Sequence, residues 1–360
     1  MSRIRVLVTD DSAFMRQVVT RTLESDARFE VVGAAGSGAE AIEQCRKLRP
    51  DVVTMDFNMP GMNGAEATRA ILAERAVPVV MLSAHTQQGA KETLQALAAG
   101  AVDFVTKPSG EVSATLGEAK AELIEKLIAA SGANLALLTP AAPSAPRIVE
   151  KATLAEPEAR SSPRSSRRML VAGQHRLVVV ASSTGGPQAL LRIVPQLRLG
   201  GRASLIVVQH MPDGFTGALA EQLTEAAGFA VHEAQAGDLA APGSAWVAPG
   251  GMHLLLDRTG HAQLRADPPV HGVRPAADPT LVSAAQSFGA RTIGVVLTGM
   301  GRDGAKGLAA VKASGGTTLA QDKATSLVYG MPKAAVELGV VDTVSPLDRI
   351  AAVINRWLDP

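Results

Sequence analysis

Short β-rich runs alternate with amphipathic helical patterns twice along this chain, and a stretch rich in Pro, Ser and Arg parts the two series. This alternation is the tightest constraint on the fold, because parallel strands need a crossover connection and a helix supplies it. In the first series the runs are IRVLVTD, FEVVGAA, DVVTMD, PVVMLS and DFVTK. Between them, FMRQVVTRTLE, GAEAIEQCRKL, NGAEATRAILAE and GAKETLQALAAG carry apolar residues at i, i+3, i+4 and i+7, and EAKAELIEKLIAAS has the pattern of a fifth helix. Residues 3–130 are therefore expected to form a (βα)5 unit, a doubly wound parallel sheet covered on both faces.

Residues 131–174 read as a linker, most plainly from Leu138 to Gln174, where periodicity is lost. Its basic end is compatible with a binding motif, but an extended solvated spacer explains the composition more simply. Residues 175–360 resume the alternation with strands RLVVVASS, ASLIVVQH, SAWVAPG, TIGVVLTG and GTTLAQD. Helical patterns follow in PQALLRIVPQL, TGALAEQLTEAAG, PTLVSAAQSFG and AKGLAAVKAS. APGGMHLLLDRTGHAQLRA reads as a β-hairpin insert turning at Asp257–Gly260. A second doubly wound α/β domain is expected here.

Composition narrows the function. With 46% hydrophobic and 19% charged residues the chain is too apolar to be disordered. A net charge of +1 and 3% aromatics give no basis for nucleic-acid binding or for attraction to a membrane surface. The single cysteine, Cys45, has no disulfide partner and no metal spacing around it, and reads as a helix residue. The N-terminus lacks a signal-peptide core and no apolar run approaches the ~18 residues of a membrane helix, so a cytoplasmic protein without membrane insertion is expected.

Chemistry-bearing residues stand at the ends of the hydrophobic runs, where open parallel sheets bind ligands. In the first half these are Asp10, Asp11 and Asp56. Three converging carboxylates repel one another unless a hard cation such as Mg²⁺ neutralises them, and such a site can serve phosphoryl transfer to a carboxylate. Ser83 and Lys107 end two further runs, in reach of a phosphoryl oxygen. Helix capping is an equal account of Asp11 or Ser12 taken singly, but not of the whole set.

In the second half Ser183 ends a strand and is followed by Thr184, Gly185, Gly186 and Pro187 before a helical pattern. A nucleophile in a tight strand-to-helix turn fits, and so do a phosphate-binding loop or a plain N-cap. Among seven histidines, His210 ends the next hydrophobic run and is the candidate base; His253 and His271 are the runners-up. Asp303 is the candidate orienting carboxylate, with a helix N-cap as its alternative and Asp278 and Asp322 as competitors. The order Ser, His, Asp and the Ala181 that breaks a G-x-S-x-G elbow exclude an ordinary α/β-hydrolase.

Residues 3–130 resemble response-regulator receiver domains through Asp10–Asp11, MDFNMPGMNG around Asp56, Ser83 in MLSAHT, Phe104, and Lys107–Pro108. The resemblance implies a flavodoxin-like fold with Asp56 as phospho-acceptor. It implies Mg²⁺ held by Asp10, Asp11, Asp56 and the backbone carbonyl of Asn58, a switch pair in Ser83 and Phe104, a phosphoryl sensor in Lys107, and a cis Lys107–Pro108 bond. Residues 175–360 resemble the chemotaxis protein-glutamate methylesterases, the CheB family, through HMPDGFT, APGGMHL, VHGVRPAAD, LTGMGRDGAKGL and QDKATSLVYGMPKAA as well as the Ser183 turn. That resemblance implies Ser183, His210 and Asp303 as the triad, with backbone N–H groups of Thr184 and Met300 stabilising the oxyanion. No cofactor is implied for the esterase step. The implied partners are chemoreceptor cytoplasmic helices as substrate and a chemotaxis histidine kinase as phosphodonor, with deamidation of receptor glutamines as a second activity. Ala181 and Lys323 stand where that family more often has glycine and an acidic residue.

Overall fold

In the computed structural model, residues 3–84, 86–107, 113–137 and 175–359 are described, the side chains of 113–119 apart. His85, Pro108 with the expected cis bond, and residues 138–174 of the expected linker lie outside them. The N-terminal half runs β1 (Ile4–Thr9), α1 (Ala13–Glu24), β2 (Phe29–Ala35), α2 (Gly38–Leu48), β3 (Val52–Asp56), α3 (Gly64–Glu74), β4 (Val79–Ser83), α4 (Gln87–Ala98), β5 (Asp103–Thr106) and α5 (Ser113–Ser131). Its five strands are all parallel, in the order β2-β1-β3-β4-β5. Strands β3 and β4 are buried along their whole length because helices cover both faces, which is why they read as unbroken apolar runs.

The C-terminal half runs β6 (Arg176–Ser182), α6 (Gly186–Ile193), β7 (Ala203–Gln209), α7 (Phe215–Ala227), β8 (His232–Glu233), β9 (Ala245–Val247), β10 (His253–Leu256), β11 (Ala262–Arg265) and α8 (Ala277–Phe288). It continues with β12 (Thr292–Val296), α9 (Ala305–Ala313), β13 (Thr317–Gln321), α10 (Met331–Glu337), β14 (Thr343–Ser345) and α11 (Leu347–Leu358). Seven parallel strands are ordered β14-β13-β12-β6-β7-β9-β8. The antiparallel pair β10–β11 is the expected hairpin, with Asp257 Oδ1 accepting from the Thr259 and His261 amides in its turn.

Four elements had no counterpart in the sequence reading: β8, β14, α10 and α11. The two strands have two and three residues, too short to show a period. The helix α11 is different, since Leu347, Ile350, Ala351, Ile354 and Leu358 are buried at helical spacing and the signal was present.

The two halves are in contact. Phe104 of β5 stacks on Phe215 of α7, ring centroids 4.7 Å apart and planes 21° from parallel. Gln188 of α6 donates to the Leu97 and Ala101 carbonyls at the end of α4, and Lys91 pairs with Glu221 at 3.3 Å. Residues 132–137, the first part of the expected linker, lie against the C-terminal half: Asn134 N–H donates to the Leu327 carbonyl and its side-chain amide to that of Ala324. Among the described residues no helix is long and apolar enough to cross a membrane.

Ile354, fully buried in α11, tests whether this unforeseen helix is integral to the catalytic half. Ile354→Ala should lower unfolding stability by about 2–5 kcal/mol. Urea denaturation followed at a C-terminal-half probe measures it, and a loss under ~0.5 kcal/mol would make α11 peripheral.

Candidate active site

In each sheet the reactive residues gather where the strand order reverses. The N-terminal sheet reverses between β1 and β3, and Asp10 and Asp56 stand there. Carboxylate oxygens of Asp10, Asp11 and Asp56 lie within 4.8 Å of one another. Asp10 and Asp56 are buried and Asp11 is exposed. Lys107 Nζ bridges the buried pair, 2.8 Å from Asp10 Oδ2 and 2.9 Å from Asp56 Oδ1. Burial is the largest influence on Asp56, and with Asp10 it holds that carboxyl above its ordinary value against the pull of Lys107. Burial works against the Lys107 ammonium, but both aspartates hold it above its ordinary value.

The capping alternative is resolved in this geometry: Ser12 caps α1 through the Met15 N–H, leaving the Asp11 side chain out of that role. Gly64 opens α3 so close to Asp56 that a Cβ there would strike the Asp56 carbonyl. Asn58 follows two residues later and its side-chain amide donates to Glu92. Ser83 Oγ is engaged with α4, accepting from Thr93 Oγ1 at 2.7 Å and donating toward the Gly89 carbonyl.

The C-terminal sheet reverses at β6, whose neighbours are β12 and β7. Ser183 follows β6, His210 follows β7, and Asp303 lies in the turn between β12 and α9. Ser182 pairs with Gln209 in register, so Ser183 and His210 leave adjacent strands at the same level. His210 Nε2 is 2.7 Å from Asp303 Oδ2. Ser183 Oγ makes no hydrogen bond to the imidazole among the described residues.

Asp303 is not the cap of α9, whose N-cap is Gly304. Its carboxylate instead accepts from the Ala277 and Asp278 amides in the first turn of α8, at 2.9 Å for Asp278, and from Gly304 N–H. Burial would raise this carboxyl, yet the His210 contact and those amides hold it below its ordinary value, as expected at a helix N-terminus. The competitors are accounted for. His253 is buried, accepting from Ala276 N–H at Nδ1 with Nε2 on the Pro268 carbonyl. His271 pairs with Asp278 at 2.9 Å, and Asp322 caps its own turn through the Thr325 amide and hydroxyl.

Neither the Thr184 nor the Met300 amide N–H donates to an acceptor among the described residues. The Thr184 hydroxyl donates to Asp103 Oδ2 of β5, a contact between the halves that the sequence reading did not foresee. Behind it Lys126 Nζ lies 3.4 Å from Asp103, 2.8 Å from Glu122 and 2.6 Å from the Phe104 carbonyl. An acidic residue at the head of the short β5 run, where it is buried, was the available signal.

The CheB methylesterase family model matches residues 178–354, and the response regulator receiver domain model matches residues 6–115. A protein-glutamate methylesterase/protein-glutamine glutaminase of Symbiobacterium thermophilum is 48% identical over 98% of this chain and 96% of its own. The chain belongs to the CheB methylesterase family. A Pyrococcus abyssi relative of the same description is 46% identical over 99% of this chain and 94% of its own. The crystal structure of the Thermotoga maritima CheB methylesterase catalytic domain matches with a TM-score of 0.50 and 43% identity, covering 51% of this chain and 99% of that one. The N-terminal half is accordingly a receiver domain and the C-terminal half a methylesterase domain, both α/β with parallel sheets.

The depressed Asp303 carboxyl has a consequence for stability. A carboxyl with a lowered folded pKa contributes stability above its unfolded value of about 4 and loses it as pH falls through the folded value. The stability gap between the parent and Asp303→Asn should therefore be full near neutrality and close below pH ~4. Urea denaturation across pH reads it; a gap that is the same at pH ~6 and pH ~3 would refute the assignment.

Proposed function

We propose that this protein is a phosphorylation-activated protein-glutamate methylesterase serving chemotaxis adaptation. It hydrolyses methyl-glutamate side chains on chemoreceptor cytoplasmic helices, releasing methanol, and deamidates receptor glutamines, releasing ammonia. The observation that carries this reading is the His210–Asp303 pair at the switch point of the sheet, beside Ser183 and two unengaged amide N–H groups.

Ser183 is the nucleophile, His210 the general base and Asp303 its orienting partner. With Nε2 turned to Asp303, Nδ1 is the nitrogen left to take the serine proton, the reverse of the ring orientation in the serine-protease template. Ser183 Oγ attacks the side-chain ester carbonyl, and the tetrahedral oxyanion forms against the Thr184 and Met300 N–H groups. Each such donor contributes about 10²–10³ in rate. His210 returns the proton to the departing methoxide, then activates the water that hydrolyses the acyl-enzyme. Asp303 stabilises the imidazolium at both stages and stays ionised, which its depressed pKa favours.

The receiver spans residues 3–130, the linker 131–174 and the catalytic domain 175–360. Asp56 takes the phosphoryl group from a chemotaxis histidine kinase. The all-oxygen donor set of Asp10, Asp11, Asp56 and the Asn58 carbonyl suits Mg²⁺. Bound there, the ion supplies positive charge against the carboxylates and the incoming phosphoryl oxygens. Lys107 senses the phosphoryl group, and Ser83 and Phe104 reorient. Because Phe104 is stacked on Phe215, and Asp103 beside it accepts from the Thr184 hydroxyl, that reorientation loosens the receiver's contact next to Ser183 and opens the approach to it. A protein of this function works in the cytoplasm.

Ser183→Ala should cut methanol release from methylated receptor membranes at least ~10⁴-fold with the fold intact. Turnover that survives would remove the nucleophile assignment. Asp56→Ala should keep basal release and lose its stimulation by a small phosphodonor with Mg²⁺; stimulation that persists would displace Asp56 as acceptor.

A further inference from the structure

Gln209 lies at the end of β7 with 2% of its surface exposed, and its side-chain amide is fully engaged. Oε1 accepts from Ser182 Oγ at 2.7 Å, while Nε2 donates to the Ser183 carbonyl at 3.0 Å and the His210 carbonyl at 3.2 Å. Two carbonyls on one side and a hydroxyl on the other fix which end of the amide is nitrogen. The turn is moulded around this group, since a Cβ on Gly186 would run into Gln209 Oε1 and the Ser182 side chain.

The Ser183 carbonyl belongs to the same planar peptide unit as the Thr184 N–H. In a trans peptide the two point in opposite directions. The carbonyl is held from one side by Gly186 N–H at 2.7 Å and by Gln209, so the Thr184 N–H must face the other way. The second donor is aimed by the same device. The Gly299 carbonyl accepts from Gly330 and Met331 amides at 3.1 and 2.9 Å, which turns the Met300 N–H outward. Backbone does that work at Met300; at Thr184 a side chain shares it.

We propose that Gln209 is a positioning residue for acyl transfer: its amide pins the Ser183–Thr184 peptide so that the Thr184 N–H faces the developing oxyanion. This rests on the reading of Ser183 as nucleophile. Gln209 touches no reacting atom and acts only through the peptide it holds. Its loss should therefore lower kcat and leave KM unchanged.

The test uses the full chain, with methanol release normalised to sites titrated by a fluorophosphonate probe. Gln209→Glu sets a carboxylate against two carbonyl oxygens, and Gln209→Met offers them no donor. Both should lower kcat per titrated site by about 10²-fold, the lower range for loss of an oxyanion donor. Ser182→Ala, which leaves the Nε2 donor in place, should cost far less. The pH dependence of kcat/KM should keep the parent's shape, because His210 and Asp303 keep their contact. Parental kcat per site in the folded variants, a rise in KM alone, or loss of titratable sites in both would overturn the proposal; so would a displaced pH limb, which would assign the effect to His210. A parent chain whose Ser183 the probe does not label would overturn the nucleophile reading as well, whereas the other results strike the positioning role alone.

Discussion

The catalytic half depends on one strand having two parallel neighbours, one on each side. β6 pairs with β7 along seven residues and with β12 along five. Each pairing fixes a relative height, so residues distant in sequence leave the sheet at a common edge. Ser183, His210 and the Met300–Asp303 turn therefore need no long loops to meet. Strand ladders are rigid, and the site inherits that rigidity. What remains for side chains is fine aim, and Gln209 and Asp303 supply it with hydrogen bonds to backbone.

Two buried charge clusters complete the molecule, and their energetics differ from those of the surface ion pairs. Exposed pairs such as Arg46–Glu74 are screened by solvent and contribute little. Lys107 and Lys126 are instead withdrawn from water, which costs several kcal/mol per ion unless carboxylates and carbonyls compensate. For Lys126 burial opposes the charge, yet Asp103 and Glu122 hold the ammonium above its ordinary value. Such clusters add little net stability and instead fix geometry. One fixes Asp56; the other fixes β5, which faces the catalytic half.

The sequence made legible whatever has a period or stands at the end of a period. All five receiver strands, the longer strands of the second sheet, the hairpin and the residues at strand ends could be read that way, as could Cys45, which sits buried in α2. Local pattern cannot show which backbone amides an aspartate will meet. By pattern Asp303 reads equally as a cap for its own helix, whereas its carboxylate meets the start of α8, more than twenty residues earlier in the chain. Gln209 carries no local signal, because its significance lies in the peptide that follows a neighbouring strand. The Asp103–Thr184 contact joins residues 81 apart, and only the packing of one half on the other creates it.

That packing includes contacts of modest individual strength close to Ser183. The Phe104–Phe215 stack is worth about 0.5–1.5 kcal/mol beyond its buried area. The Thr184 hydrogen bond to a carboxylate contributes about 1.5–3 kcal/mol, and the exposed Lys91–Glu221 pair about 0–1 kcal/mol. These are only part of the interface, which the Gln188 and Asn134 hydrogen bonds and shared apolar packing also hold. The strand that carries Phe104 and Asp103 is also the strand that ends at Lys107, the group between Asp10 and Asp56. A phosphoryl group on Asp56 would draw on Lys107 directly. The few residues between that ammonium and the Thr184 contact leave little slack for the disturbance to dissipate.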